Sequence, residues 1–137
     1  MKRDRYLELP RERLNMLFEF YLRKLQLVDG FWFLGVEDRY GTKSAVELNA
    51  YVWAQVGKRD AQWAKSVLGV KGDSISALIE ALKNTYMAFV DWDMLRVSDS
   101  HAIFRATTCF PQKARIEKGK GAFDCRPSEE AFFTSYA

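Results

Sequence analysis

The chain has 137 residues, 48% of them hydrophobic and 28% charged, which supplies one self-sufficient core and excludes a disordered or collagen-like chain. Its net charge of +3 comes from 21 basic and 18 acidic residues, too balanced for the counterion-releasing surface of a nucleic-acid binder, so no nucleic-acid partner is expected. The longest apolar run, Phe31 to Val36 with Gly35 inside it, falls far short of the roughly 20 residues of a membrane span.

The charged start Met1-Lys2-Arg3-Asp4-Arg5 is followed by apolar residues broken by Glu8, Arg11, Glu12 and Arg13, not by the apolar core of a signal peptide. A single cytoplasmic domain over residues 1–137 is therefore expected, with its two cysteines reduced.

Pro10 can open a helix, and Leu14, Leu17, Phe18, Tyr21, Leu22, Leu25 and Val28 follow at three- and four-residue spacing, which predicts an amphipathic helix. Its stripe is expected in the central core. Met16, Phe20 and Leu27 lie off the stripe and are also apolar, so the helix should be covered on more than one side, which favours a homodimer. Asp29-Gly30 suggests a kink or a new helix, and the spacing then continues through Phe31, Trp32 and Arg39 to Gly41, a candidate left-handed cap. A further helix carries Ala45, Leu48, Val52, Trp53 and Val56, capped by Thr42 or Ser44 and ended by Gly57; a short one from Asp60 to Leu68 is closed by Gly69.

Gly72-Asp73-Ser74 is a cap signal for a helix from about Ser74 to Ala88, with Ile75, Leu78, Ile79, Leu82, Tyr86 and Phe89 on its stripe. From Asp91 the pattern alternates on both sides of Ser98-Asp99-Ser100, which predicts a β-hairpin. Phe110-Pro111 begins a basic helical turn to Lys118, Gly119-Lys120-Gly121 forms a flexible loop, and Ser128 with Glu129 and Glu130 starts a last helix containing Phe132, Phe133 and Tyr136. That helix stops at Ala137 without a cap, as in a shortened form of a longer chain. The fold class is α+β: a mainly helical bundle, then a β-hairpin and a short C-terminal helix.

Three groups of residues could carry chemistry. Cys109 and Cys125 have fifteen residues between them, and His101 precedes the first by eight. The three form a candidate metal set, although no Cys-x-x-Cys chelate is present and buried free cysteine is a common core residue. Cys109 before a helix start, near Lys113 and Arg115, is a candidate nucleophile whose thiolate the helix N-terminus and positive charge would favour, with a small hydrophobe followed by a solvated basic helix as the preferred alternative. Glu37, beside the aromatic run Phe31-Trp32-Phe33, is a candidate general acid or base whose pKa the apolar edge would raise. Exposed helix-end charges explain it as well. The basic end of the chain, Lys113, Arg115, Lys118, Lys120 and Arg126, could hold an anionic group of a small ligand, and a solvated helix face explains it equally well. No phosphate loop, dinucleotide fingerprint, nucleophile elbow or His-Glu-x-x-His helix occurs.

The order Phe31-Trp32 with Glu37 and Gly41, then Ala45 and Val52-Trp53, then Cys109-Phe110-Pro111-Gln112-Lys113-Ala114-Arg115 and Phe123-Asp124-Cys125 resembles a family of bacterial cytosolic proteins. That family is distantly similar to L-2-amino-thiazoline-4-carboxylic acid hydrolases, which open a small sulfur-containing ring. The resemblance covers most of residues 12–137 and implies testable roles for Cys109, Gln112, Arg115 and Cys125. Phe110 departs from it, since the family pattern has proline directly after the cysteine, and members carry a further C-terminal stretch.

The leading expectation is a small-molecule-binding protein or enzyme, in its most specific form a ring-opening hydrolase. Its pocket would lie between residues 31–40 and 109–126. Cys109, Glu37 and Arg115 would be catalytic, and Trp32, Tyr40, Gln112, Lys113 and Cys125 would bind the ligand; the cofactor, if any, is left open by the sequence. The alternatives are a cysteine-based metal or redox sensor using His101, Cys109 and Cys125, and a structural dimerisation module.

Overall fold

The computed structural model describes residues 8–85 and 90–137. Helix α1 (Arg11–Ser66) is followed by α2 (Ile75–Asn84), strands β1 (Asp91–Val97) and β2 (Ala102–Thr108), then α3 (Phe110–Glu117) and α4 (Arg126–Tyr136). The class is α+β, helices with one antiparallel hairpin. No helix among the described residues is long and apolar enough to cross a membrane.

Helix α1 is helical throughout except at Gly41, whose φ of 83° and ψ of 163° lie in a region that glycine alone enters without strain. This elbow separates a first arm, residues 11–40, from a second, residues 42–66. The arms fold back on each other: Asp29, Phe33 and Val36 of the first meet Ala45, Asn49 and Val52 of the second. The predicted stop at Gly41 is thus found, as a reversal inside one long helical segment. The predicted breaks at Gly30 and Gly57 are not, for both glycines are helical. Gly57 serves packing instead. A Cβ there would lie 2.5 Å from the Phe132 carbonyl oxygen, so its absence lets α4 press against the second arm.

The core lies at the far end of the second arm. Ala64, Val70, Ala77, Ala81, Leu82, Phe132 and Tyr136 form the buried cluster, joining that arm to α2 and α4. Ser74 caps α2 by accepting from the Ala77 amide at 3.2 Å, as its sequence signal predicts. Tyr86 and Phe89, expected on the same stripe, fall outside the described residues. Alternation in the hairpin aims Trp92, Met94 and Phe104 at the core and leaves Leu95, Val97 and Ile103 exposed. Thr85 and Tyr136 share a buried hydroxyl–hydroxyl hydrogen bond of 3.0 Å, which satisfies both polar tips inside the cluster.

The first arm departs most from expectation. Its stripe was to fill the central core, yet Phe33 is the sole buried residue of 11–40. Leu17 and Leu22 are half-buried, while Leu14, Phe18, Tyr21, Leu25 and Val28 are exposed. Past Asp29 the second arm turns its apolar residues to α2 and α4, and the start of the first arm is left without that neighbour.

Candidate functional site

The residues predicted to flank a pocket do meet. Glu37 stands in the last turn before the elbow, and the chain returns to it 78 positions later, where Arg115 Nη1 donates to Glu37 Oε2 at 2.6 Å. Both side chains are less than one-tenth exposed. Thr42 Oγ1 donates to the other carboxylate oxygen at 2.8 Å, and Lys120 Nζ reaches both Glu37 and Asp38, at 3.4 and 2.6 Å. Arg115 Nε donates to the Gly121 carbonyl at 3.1 Å. Its guanidinium lies over the rings of Phe33 and Phe123, 5.6 and 5.1 Å from their centroids, a cation–π arrangement. Those two rings are 4.6 Å apart.

Gln112 locks the return of the chain. Its side-chain amide donates to the Phe123 carbonyl at 2.7 Å and accepts from the Phe123 N–H at 3.1 Å, so the loop is held like one rung of a sheet. Gly119 and Gly121, at φ of 70° and 72°, supply the left-handed turns that bring Lys120 round to the carboxylates.

This contact is filled. No fully buried side-chain nitrogen or oxygen among the described residues lacks a partner, and the gap between the arms beside it measures about 20 Å³, room for water and not for a substrate. A wider trough between Thr42–Ala50 and Asp124–Pro127 is open to solvent and contains none of the predicted residues. Glu37 also titrates opposite to expectation. The Arg115 hydrogen bond, against burial and with help from Thr42 and Lys120, brings its pKa down from 4.5 to about 2. A carboxylate held this way is a poor proton acceptor at neutral pH. Among the predicted ligand residues, Trp32, Tyr40 and Lys113 are exposed, and Gln112 is committed to Phe123.

The cysteines are both free; Cys125 is half-buried, and Cys109 is exposed as a residue although its sulfur is partly desolvated. They occupy equivalent places, since each is the N-cap of a helix, Cys109 of α3 and Cys125 of α4. The Gln112–Phe123 clasp ties the helix that starts at Cys109 to the loop that leads into Cys125, and Cys125 and Glu129 both act on Cys109 electrostatically. Burial pushes the Cys109 thiol up, the Gln112 amide pulls it down, and Cys125 and Glu129 push it further up. Neither Lys113 nor Arg115 lowers the thiol, and the Arg115 charge is paired with Glu37 instead. His101 does not join the cysteines. It sits at the hairpin tip, its Nδ1 2.8 Å from Ser98 Oγ, with the length of β2, about 25 Å, between it and Cys109. Among the described residues no three His, Cys, Asp or Glu side chains are grouped to hold a metal.

Sequence reasoning missed one polar relay. Ser128 Oγ donates to Asn49 Oδ1 at 2.6 Å, and Asn49 Nδ2 donates to Asp29 Oδ1 at 3.4 Å, joining α4 to both arms. Ser128, expected to cap its helix, is thus inside it and used for packing. Burial raises the Asp29 pKa while hydrogen bonds from Asn49 and Trp53 oppose the rise. The available signal was Asn49 itself, four residues after Ala45 and four before Trp53, a polar side chain on an apolar stripe.

Residues 7–137 match the family described as "Family of unknown function (DUF6125)", and the chain belongs to that family. No curated protein and no solved structure matches the chain.

Proposed function

We propose that this protein is an assembly module whose first arm pairs with a second copy of the chain. The observation that carries this reading is the exposure of that arm. Leu14, Met16, Phe18, Phe20, Tyr21, Leu25, Leu27, Val28, Phe31 and Trp32 are all between 39% and 64% exposed, on one contiguous helical segment. Monomeric proteins rarely carry so large a continuous apolar patch. Phe18, Tyr21 and Trp32 on the stripe are more than half exposed. Since an aromatic side chain offers roughly 150–250 Å² in full, the stripe supplies several hundred Å², a large share of the ~800 Å² per partner of a standard interface. The rest of the chain supplies a fixed platform, since the Arg115–Glu37 contact braces the elbow from which the arm projects.

Light scattering on the purified chain tests the reading. A dimeric mass at micromolar concentration is expected, and Phe18→Glu with Leu25→Glu should return a monomer of unchanged helix content by circular dichroism. A monomeric parent at high micromolar concentration overturns it.

The convergence of Cys109 and Cys125 favours a second reading, a dithiol that responds to redox state. A low-molecular-weight disulfide would oxidise the pair: its two thiols lose two protons and two electrons, and the oxidant leaves as two thiols. Mass spectrometry after treatment with oxidised glutathione separates this intramolecular bond, a loss of about 2 Da with no adduct, from simple glutathione addition. Ring-opening hydrolysis, implied by the resemblance, would need the filled contact at Glu37 and Arg115 to open; turnover of 2-aminothiazoline-4-carboxylate is its test.

A further inference from the structure

The exposed residues of the first arm have a finer order than a broad apolar face. Leu14, Phe18, Tyr21, Leu25, Val28 and Trp32 follow one another at intervals of four, three, four, three and four, the a/d alternation of a coiled-coil seam. Every one of the six is at least 39% exposed, so the seam is unpaired within the chain. A helix that keeps this alternation is shaped to receive another helix knob into hole, which a broad amphipathic stripe is not.

We propose that the seam pairs with the same seam of a second copy in antiparallel orientation, centred on Arg23. This register rests on the self-association proposed above and specifies its geometry. The support is the order of side-chain sizes. An antiparallel pairing about Arg23 places Leu14 against the partner's Trp32, Phe18 against the partner's Val28, and Tyr21 against the partner's Leu25. Each layer then holds one aromatic and one aliphatic residue, so total volume is nearly even along the seam. A parallel pairing sets each residue against its own copy, with Trp32 on Trp32 and Phe18 on Phe18 beside thin layers at Leu14 and Val28, leaving overpacked layers next to voids.

The flanking positions agree. In the antiparallel register Leu17 faces the partner's Phe31 and Leu22 faces its own copy, so apolar meets apolar, while Asp29 is held within its own chain by Asn49. Lys24 facing its own copy is the one opposed pair, at a rim where salt screens it. The seam also runs on into the platform: Trp32 borders Leu48 and Val52 of the second arm, both exposed, and the start of the partner's arm would lie over them.

Disulfide trapping decides the register. Leu14→Cys and Trp32→Cys chains, each also carrying Cys109→Ser and Cys125→Ser, are co-expressed and oxidised with oxidised glutathione. A cross-linked heterodimer is expected from the pair and none from either variant alone, because in the antiparallel register residue 14 and its copy are roughly 27 Å apart, far beyond the ~7 Å Cα limit for a disulfide. Phe18→Cys with Val28→Cys repeats the test one layer inward, should loss of Trp32 weaken pairing. Dimers that cross-link residue 14 to its own copy, or that trap neither pair, overturn the register while leaving self-association standing. A parent chain that is monomeric by light scattering overturns both.

Discussion

Arg115 Nη1 lies 2.6 Å from Glu37 Oε2, with both side chains nearly excluded from solvent. This contact joins the end of the first arm to the segment between the cysteines, and it makes the elbow at Gly41 a fixed angle. Because the guanidinium is also stacked on Phe33 and Phe123, it contributes packing as well as charge.

Removing one partner of such a buried pair leaves the other charge without compensation, which costs about 3 kcal/mol or more. Arg115→Met should therefore lower stability in urea by about that amount. Restoring the shape without the charge in both positions, as in Arg115→Met with Glu37→Met, should recover a substantial part of the loss. A double variant as unstable as the single one would show that the contact matters for its packing alone.

The same pair sets an acid limit. Glu37 has a folded pKa of about 2 against an ordinary 4.5, so its contribution is fully present above roughly pH 4.5–5 and disappears as pH falls towards 2. Melting temperatures of the parent and of Glu37→Gln should differ at pH 6 and converge as the pH approaches 2. A constant gap across that range would refute the assignment.

Leu82 is 3% exposed within the core cluster, and Leu82→Ala should destabilise by roughly 2–5 kcal/mol independently of protein concentration. Leu22 is half-buried on the first arm. The cost of Leu22→Ala should be small in dilute protein and grow with concentration, as interface residues do. Chemical denaturation at two concentrations a hundredfold apart reads both.

Gly57→Ala places a methyl group 2.5 Å from the Phe132 carbonyl oxygen and 3.2 Å from its ring. Backbone cannot yield as a flexible side-chain tip does, so α4 must shift, at a cost of about 1–3 kcal/mol. An alanine variant that melts with the parent would mean that α4 does not sit this close.

Cys109 should alkylate slowly at neutral pH, since its thiol is raised above 9.0 chiefly by burial and the thiolate is the reacting form. The iodoacetamide rate at Cys109, followed by peptide mass spectrometry in Cys125→Ser protein, should still be climbing at pH 9.5. A plateau below pH 8 would instead reveal an activated thiol.

The sequence by itself determined the elements that local chemistry dictates: the helical period from Leu14 to Val28, the turn at Gly41, the Ser74 cap, the hairpin around Ser98-Asp99-Ser100, and the two short helices that follow the cysteines. These depend on neighbours a few positions away, so spacing and cap residues suffice to reveal them. Periodicity, however, marks an apolar face without saying what covers it, and the tertiary structure left the first stripe exposed and put the core on the second arm with α2 and α4. Gly57 carried a stop signal that close packing against Phe132 overruled. Glu37 and Arg115 were each legible as candidates for catalysis, but their pairing spans 78 positions, and only the folded chain could show that the charges neutralise each other, because a carboxylate's pKa is set by what lies within a few ångströms in space.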